Sequence, residues 1–312
     1  MVVARIAYLG PEGTFTEAAL LQLTAVGLVP EQGADPLQQL PIESTPAALD
    51  AVRDGAADYA CVPIENSIDG SLMPTLDSLA GGSPLQVFAE TTLDVAFSIV
   101  AKSGLTAADV RTLAAFPVAA AQVRNWLGAN LPGAELRPAY SNADAARQVA
   151  DGVVDAAVTS PLAVSRWGLT ALAEGVVDEP NARTRFVLVG LPGPPPARTG
   201  VDRTSAVLRI DNAPGALVAA LAEFGIRGID LTRIESRPTR TELGTYLFFV
   251  DCVGHVDDGA VAEALKALHR RCADVRYLGS WPAAADGPRE SVPPPPDEAS
   301  RWLARLREGK PE

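Results

Sequence analysis

The sequence has 312 residues, of which 47% are hydrophobic, so it is long enough for two or three domains with full cores. Its formal net charge of −12 argues against a nucleic-acid partner, because sequence-independent binding depends on Lys and Arg neutralising phosphates. The three cysteines, Cys61, Cys252 and Cys272, have no metal-like spacing and form an odd number, so we expect neither a disulfide framework nor a metal site.

The two histidines, His255 and His269, both lie in the C-terminal third of the chain. A Ser-His-Asp triad, a Cys-His pair or a His-rich metal site is therefore excluded from the first 190 residues. The apolar start is too short for a signal peptide, and no run reaches the roughly 18 apolar residues that a membrane span needs. We expect no membrane partner and a cytoplasmic location.

From residue 3 to residue 189, short apolar runs alternate with segments of helical periodicity, which predicts strand-helix units around a mainly parallel sheet. The predicted strands are 3 to 9, 58 to 62, 94 to 100, 112 to 116, 153 to 158 and 185 to 189. The predicted helices are 15 to 26, 119 to 128 and 143 to 151.

Residues 191 to 202 are rich in proline and glycine and predict a linker to a second domain at 203 to 281. The elements predicted there follow the β-α-β-β-α-β order of a ferredoxin-like domain: strand 204 to 210, helix 215 to 224, strands 229 to 237 and 245 to 252, helix 258 to 272 and strand 274 to 280. Residues 282 to 312 predict a Pro-rich tail, mostly disordered on composition, with a candidate short amphipathic helix at 297 to 306.

Three polar motifs mark the ends of strands in the first domain. After strand 3 to 9, the stretch Gly10-Pro11-Glu12-Gly13 leads to a capping box with Thr14 as N-cap and Glu17 three residues later. The resulting helix N-terminus suits a carboxylate, although a strand-helix connection without a ligand would have the same sequence pattern. The second motif, Pro63-Ile64-Glu65-Asn66-Ser67, lies beyond the end of strand 58 to 62, where open α/β sheets bind ligands.

The Asn66 motif has a second interpretation as a turn whose side chains satisfy their own backbone. In the third motif, Thr184 lies between Arg183 and Arg185 at the start of the last strand, which is also compatible with a strand start carrying exposed arginines. In the second domain, Gly215 lies between the first strand and helix, where it lets backbone N–H groups approach a ligand closely.

Taken together, Gly10-Pro11-Glu12-Gly13-Thr14-Phe15, Pro63-Ile64-Glu65-Asn66-Ser67, Thr184-Arg185-Phe186 and Glu235-Ser236-Arg237-Pro238 resemble the motifs of prephenate dehydratases with a C-terminal ACT regulatory domain. The resemblance covers residues 5 to 281 and includes Thr159-Ser160-Pro161-Leu162-Ala163 and Trp167-Gly168-Leu169. One departure is Ala115-Phe116-Pro117-Val118, where many members carry a Ser-His-Pro-Gln-like stretch, although Gln122 remains.

The resemblance implies an α/β protein with a two-lobed catalytic domain, like type II periplasmic binding proteins, at 1 to 190 and a βαββαβ ACT domain at 203 to 281. The expected lobes are 1 to 79 with 181 to 190, and 80 to 180. Since no additional helical domain precedes residue 3, we expect a monofunctional enzyme without a fused mutase.

The activity that the resemblance implies is the decarboxylating dehydration of prephenate to phenylpyruvate, CO₂ and water in phenylalanine biosynthesis. Ring aromatisation drives this carbon-oxygen lyase reaction, so we expect no cofactor and no metal. By resemblance, Thr184 is the catalytic acid. The expected substrate-binding residues are Thr14, Asn66, Ser67, Gln122, Thr159, Ser160, Arg185 and Phe186.

By resemblance, the ACT domain binds L-phenylalanine as a feedback inhibitor and pairs with a second copy, giving a homodimer or homotetramer. The expected effector-binding residues are Asn212, Pro214, Gly215, Ala216, Leu217, Glu235 and Ser236. Two alternatives stay open: a cyclohexadienyl dehydratase that acts on arogenate, and a non-catalytic small-ligand sensor. The absence of a recognisable output domain in the sequence weakens the sensor alternative.

Overall fold

The computed structural model describes residues 4–29, 37–179, 181–239 and 245–284. The predicted tail helix at 297 to 306 lies outside these residues. Within the described part of the chain, no helix is long and apolar enough to cross a membrane.

The described residues form strands and helices that alternate along most of the chain. The strands are β1 (Arg5–Leu9), β2 (Gln38–Ile42), β3 (Tyr59–Asn66), β4 (Gly70–Ser71), β5 (Gln86–Asp94), β6 (Phe97–Ala101), β7 (Thr112–Ala115), β8 (Glu135–Pro138), β9 (Ala156–Thr159), β10 (Thr170–Val176), β11 (Arg183–Gly190), β12 (Asp202–Arg209), β13 (Leu231–Pro238), β14 (Tyr246–Val253) and β15 (Asp274–Pro282). The α-helices are α1 (Phe15–Ala25), α2 (Thr45–Arg53), α3 (Met73–Ala80), α4 (Pro117–Gln122), α5 (Arg124–Asn130), α6 (Asn142–Ala150), α7 (Pro161–Arg166), α8 (Ala216–Gly225) and α9 (Gly259–Arg271). A 3₁₀ turn spans Ala107–Asp109.

Four of the described helices begin at a Ser or Thr residue whose side chain caps the helix N-terminus. Thr14, Ser44, Ser141 and Ser160 each accept a hydrogen bond from a backbone N–H of the first turn of the helix that follows. The predicted capping box at Thr14 is therefore present as an N-cap. The single helix predicted at 119 to 128 is two short helices, α4 and α5, which meet at a non-helical residue.

The first lobe is built on a sheet of order β2-β1-β3-β11-β5, with β4 paired to β3. Strands β1, β2 and β3 run parallel, whereas β11 is antiparallel to both of its neighbours. The pairing of β5 with β11 corrects the expected lobe boundary, because residues 86 to 94 belong to the first sheet and not to the second lobe.

The second lobe is built on a sheet of order β10-β6-β9-β7-β8, which starts at residue 97. Its apolar core includes Phe97, Ile99 and Val158, and Phe15 from α1 packs against that core. The rings of Phe15 and Phe97 meet edge to face at 5.7 Å between centroids, so the two lobes are in contact beside the start of α1.

The second domain has a sheet of order β13-β14-β12-β15, which is the predicted βαββαβ arrangement. Helices α8 and α9 cover one face of this sheet, where Leu208, Phe224 and Leu268 are buried together. On the other face, Phe249 and Trp281 join the core cluster of the first lobe. The sheet of the second domain is thus packed directly against the first lobe.

Candidate functional site

The hydroxyl of Thr184 and the amide of Asn66 lie side by side where two central strands of the first sheet end and begin, β3 and β11. Residues 184 and 66 are direct cross-strand partners on β11 and β3. Asn66 Nδ2 donates a hydrogen bond to Thr184 Oγ1 at 2.9 Å, and Thr184 is only half-buried. The structure therefore brings together the predicted catalytic residue and one predicted binding residue.

The orientation of the Asn66 amide is fixed by its own loop. Its Oδ1 accepts hydrogen bonds from the backbone N–H groups of Ile68 at 2.8 Å and Asp69 at 3.0 Å, so the oxygen must face the loop and the nitrogen must face Thr184. Because Asn66 uses a lone pair of Thr184 Oγ1, the hydroxyl proton of Thr184 remains directed elsewhere. This arrangement prepares Thr184 to act as a donor.

The two lobes meet at the start of α1. Ser160 Oγ donates to the backbone oxygen of Gly13, and Arg166 forms ion pairs with Glu12 and Glu17. Gly13 has a φ of +87°, and a Cβ at this position would lie 3.2 Å from the Cβ of Ala163. Glycine is favoured here because the backbone is left-handed and because a Cβ would crowd Ala163 of α7.

Several predicted substrate contacts are engaged in local bonds. The hydroxyl of Thr14 donates to Leu9 O and accepts from Glu17 N. Thr159 is fully buried and donates to Asn142 O at 2.7 Å, and Ser160 is also fully buried. These three hydroxyls are engaged in hydrogen bonds within the protein, and the structure does not present them as free donors.

Gln122 and Asn142 differ from these residues because each has a buried side-chain oxygen without a hydrogen-bond partner among the described residues. Gln122 ends α4, and Asn142 starts α6 next to the buried Thr159. An unsatisfied buried oxygen favours a donor from a ligand or water. Sequence reasoning missed Asn142, since its position at a helix start is also typical of a plain capping segment.

Arg185 lies on the face of β11 opposite to Thr184. Its guanidinium is 8% exposed and forms ion pairs with Glu65 at 2.9 Å, Glu90 at 3.2 Å and Asp251 at 2.8 Å. This geometry corrects the expectation that Arg185 contacts the substrate. Its positive charge is already paired with three carboxylates, on the face of β11 that is turned towards the second domain. Phe186 is also no cleft contact, since its side chain is 2% exposed in the core of the first lobe.

Ser67 faces the same side as Arg185. Its hydroxyl donates to Asn181 O and accepts from Arg183 N, and it borders a cavity of about 340 Å³ that Arg183 and Arg185 also line. The predicted pair of Asn66 and Ser67 is thus divided, with only Asn66 adjacent to Thr184.

A larger cavity of about 720 Å³ opens between the lobes at the carboxyl ends of β1 and β2. It is bordered by the loop of Gly10 and Glu12, by the end of β2 and by Tyr140, Asp144 and Trp167 of the second lobe. Neither Thr184 nor Asn66 lines this cavity.

In the second domain, the loop before α8 borders a small cavity of about 100 Å³. Asn212, Ala216 and Leu217 line it together with Tyr246 and Phe248. Pro214 and Gly215 belong to the same loop, and Gly215 has a φ of +79°, which favours glycine.

The predicted effector residues on β13 are divided between the two faces of that strand. Ser236 is exposed and is the cross-strand partner of Phe248, which lines the cavity. Glu235 instead accepts a hydrogen bond from Ser71 Oγ of the first lobe at 3.1 Å. The structure therefore does not bring the Glu235 carboxylate to this cavity.

Two titratable groups in the core of the first lobe, Cys61 and Tyr8, have raised pKa values. Burial raises the pKa of the Cys61 thiol well above its ordinary value and raises the pKa of Tyr8 to about 12, so both remain protonated at neutral pH. Among the described residues, no cluster of three His, Cys, Asp or Glu side chains could hold a metal ion.

The fold and the site define a two-lobed α/β enzyme domain, in which the Thr184 hydroxyl accepts a hydrogen bond from Asn66, followed by a βαββαβ domain. The family model for prephenate dehydratase matches residues 6–193, and the model for the ACT domain matches residues 204–270. The chain belongs to the prephenate dehydratase family, which confirms the resemblance and the fold class predicted from the motifs.

Three similar proteins show how closely this chain matches known sequences and structures. The prephenate dehydratase of Mycobacterium leprae is 85% identical over 100% of this chain and 97% of its own length. The crystal structure of the Arthrobacter aurescens prephenate dehydratase in complex with L-Phe has a TM-score of 0.83 and 39% identity, covering 98% of this chain and 100% of that one. GqqA, a novel type of quorum quenching acylase, has a TM-score of 0.77 and 29% identity, covering 90% of this chain and 98% of its own.

Proposed function

We propose that this protein catalyses the decarboxylating dehydration of prephenate to phenylpyruvate, CO₂ and water, with Thr184 as the proton donor to the departing hydroxyl. The observation that carries this proposal is the hydrogen bond from Asn66 Nδ2 to Thr184 Oγ1, which leaves the Thr184 proton free. Family membership supports the choice of substrate.

Threonine is a weak acid, so it can transfer its proton only if loss of CO₂ and cleavage of the carbon-oxygen bond occur together. As the ring carboxylate leaves as CO₂, its electron pair enters the ring and expels the hydroxyl group, and the ring becomes aromatic. The departing oxygen gains negative charge in that transition state and is then basic enough to accept the Thr184 proton. The resulting threonine alkoxide is reprotonated from water, and Asn66 stabilises it through its Nδ2–H.

Two carboxylates of prephenate must be held by a protein whose net charge is −12. Local donors provide the attraction in this proposal: the positive end of the helix dipole of α1, whose 11 residues begin at Phe15, and the second N–H of the Asn66 amide. Since Arg185 is occupied by three carboxylates, it is left out of the substrate site.

L-Phenylalanine is the proposed effector, supported by the L-Phe complex of the Arthrobacter aurescens relative. We place it at the loop of Asn212 to Leu217, where the small cavity lies. The cavity is small, and Ser236 beside it is exposed, so we propose that the Ser236 side of a second copy completes the site. A homodimer or homotetramer through the second domains is therefore part of the proposal.

A cytoplasmic location is also proposed, in agreement with three free cysteines. The acylase activity of GqqA is not adopted, because one fold hosts several chemistries and both histidines of this chain lie outside the first domain. His255 in the second domain is fully buried and hydrogen-bonded to Pro196 O. His269 lies in α9, on the face of the second-domain sheet that is turned away from the first lobe, so neither imidazole is placed to activate Thr184.

Phenylpyruvate formation from prephenate, measured with and without L-phenylalanine, tests the proposal. We expect turnover of prephenate that exceeds turnover of arogenate, and inhibition by L-phenylalanine. Preference for arogenate would instead indicate a cyclohexadienyl dehydratase. Binding of either compound without turnover would indicate a small-ligand sensor.

A further inference from the structure

Two neighbouring cross-strand pairs connect the candidate active site to the domain interface. Thr184 pairs with Asn66, and the next pair along the same two strands is Arg185 with Glu65. Alternate residues of a strand point to opposite faces, so the first pair faces the cleft and the second faces the other domain. Since consecutive Cα atoms are about 3.8 Å apart, a shift of the β11 backbone at Arg185 is transmitted to Thr184.

The partner of Arg185 in the second domain is Asp251 of β14. Arg185 Nη2 lies 2.8 Å from Asp251 Oδ2, and these side chains are 8% and 1% exposed. Ser205 Oγ donates to Asp251 Oδ1 at 2.7 Å, so the carboxylate is fixed from within its own sheet. Burial favours a raised pKa for Asp251, but the guanidiniums of Arg233 and Arg185 outweigh it and hold the pKa far below its ordinary value.

Arg233 links the same carboxylate to β13. Its Nε and Nη2 contact the two oxygens of Asp251 at 2.9 and 3.0 Å, a bidentate geometry that fixes the direction of the ion pair. β13 also carries two of the predicted effector residues, Glu235 and Ser236. Asp251 is therefore the shared partner of one arginine next to Thr184 and one arginine on the effector strand.

We infer that Asp251 is a positioning residue for the dehydratase reaction: by holding Arg185, it fixes β11 so that the Thr184 hydroxyl meets the departing oxygen. The inference rests on the proposed function, since it assigns Asp251 a part in the same reaction. A displacement of about 1 Å at a reacting group can reduce the rate about 10²-fold. Loss of an ion pair outside the site can therefore lower kcat if it shifts Thr184 by that distance.

The test compares Asp251→Asn with a matched variant at the same interface. Asp77 of α3 forms a bidentate ion pair with Arg237 of β13, so Asp77→Asn also removes one carboxylate charge from a contact between the domains, but it does not touch β11. We expect Asp251→Asn to lower kcat about 10- to 100-fold, with KM for prephenate within about 3-fold of the wild-type value. Asp77→Asn should change kcat less than about 3-fold.

A double-mutant cycle then separates positioning from general loss of structure. In a Thr184→Ala background, there is no hydroxyl to position, so adding Asp251→Asn should lower the residual kcat by less than about 3-fold. The inference is overturned if the full loss persists in that background, or if Asp251→Asn behaves like Asp77→Asn.

If Asp251→Asn does not fold by circular dichroism, Ser205→Ala is used in the same cycle, because it removes one bond to Asp251 without removing a charge. The expected loss of kcat is then about 3-fold in the wild-type background and none with Thr184→Ala. Absence of any loss in the wild-type background would overturn the inference. Failure of the proposed function is distinguishable, since the wild-type protein would then show no turnover of prephenate.

Discussion

Replacement of Thr184 by valine removes the hydroxyl but keeps the branched shape of the side chain. The hydroxyl receives one hydrogen bond, from Asn66 Nδ2 at 2.9 Å, and Thr184 is half-buried. General acid assistance is typically worth about 10² to 10⁴ in rate, so we expect kcat to fall by that factor, equivalent to about 3 to 5 kcal/mol in the activation free energy.

The same substitution should have little effect on stability. Loss of one hydrogen bond costs about 0.5 to 1.5 kcal/mol in the free energy of unfolding, and water can reach the Asn66 amide beside a half-exposed residue. The expected decrease in Tm is roughly 2 to 5 °C. A structural explanation of the activity loss would require a much larger decrease.

The assay follows phenylpyruvate at saturating prephenate for the wild-type protein, Thr184→Val and Thr184→Ser, with thermal melts on the same preparations. Thr184→Ser keeps a hydroxyl within reach of Asn66 and should retain kcat to within about 10-fold. If Thr184→Val turns over prephenate within about 5-fold of the wild-type rate, proton donation by Thr184 is refuted.

Three further predictions follow from other contacts. Asn66→Asp keeps the side-chain oxygen that accepts from the loop N–H groups, but it replaces the Nδ2 donor beside Thr184 with a carboxylate oxygen. The Thr184 hydroxyl would then donate its proton to that oxygen, so kcat should fall about 10²-fold. An unchanged kcat would contradict the role of Asn66. Gly215→Val should raise the L-phenylalanine concentration for half inhibition at least about 10-fold, with kcat unchanged, because a β-branched residue disfavours the left-handed backbone at φ +79°. Full inhibition in the variant would argue for another effector site. Asp251 has a lowered folded-state pKa, so its stabilisation is present above the ordinary Asp pKa of 3.8 and is lost as pH falls toward the lowered value. The difference in unfolding free energy between wild type and Asp251→Asn, measured by denaturant titration, should therefore shrink by about 1.4 kcal/mol per pH unit below pH 3.8. A constant difference from pH 7 to pH 2 would contradict the ion-pair account.

Local features of the fold were predictable because they depend on neighbouring residues. The helix predicted at 15 to 26 is α1, Phe15–Ala25, and its N-cap is Thr14 as the capping box indicates. The order of elements in the second domain was also correct, since each strand and helix there has a clear period and is bounded by turn residues.

Strand pairing was less accessible to sequence reasoning. β5, Gln86–Asp94, was not predicted as a strand, and its residues were assigned to the second lobe. Its place in the first sheet depends on pairing with β11, about 90 residues further along the chain, and no local pattern specifies such a partner.

The site was predicted in part for the same reason. Asn66 and Thr184 were both selected by their motifs, but the hydrogen bond between them joins residues 118 positions apart. Arg185 was assigned to the substrate because its motif places a cation beside Thr184. The sequence could not reveal that its side chain faces the second domain, where Asp251, 66 positions away, matches its charge.

A crystal structure of the protein with a non-reactive prephenate analogue tests the proposed donor most directly. The account predicts Thr184 Oγ1 within about 2.6 to 3.2 Å of the oxygen that would depart, with Asn66 Nδ2 still donating to the same hydroxyl. An analogue bound in the cleft with that oxygen beyond hydrogen-bond reach of Thr184, and contacted instead by another proton donor, would contradict it.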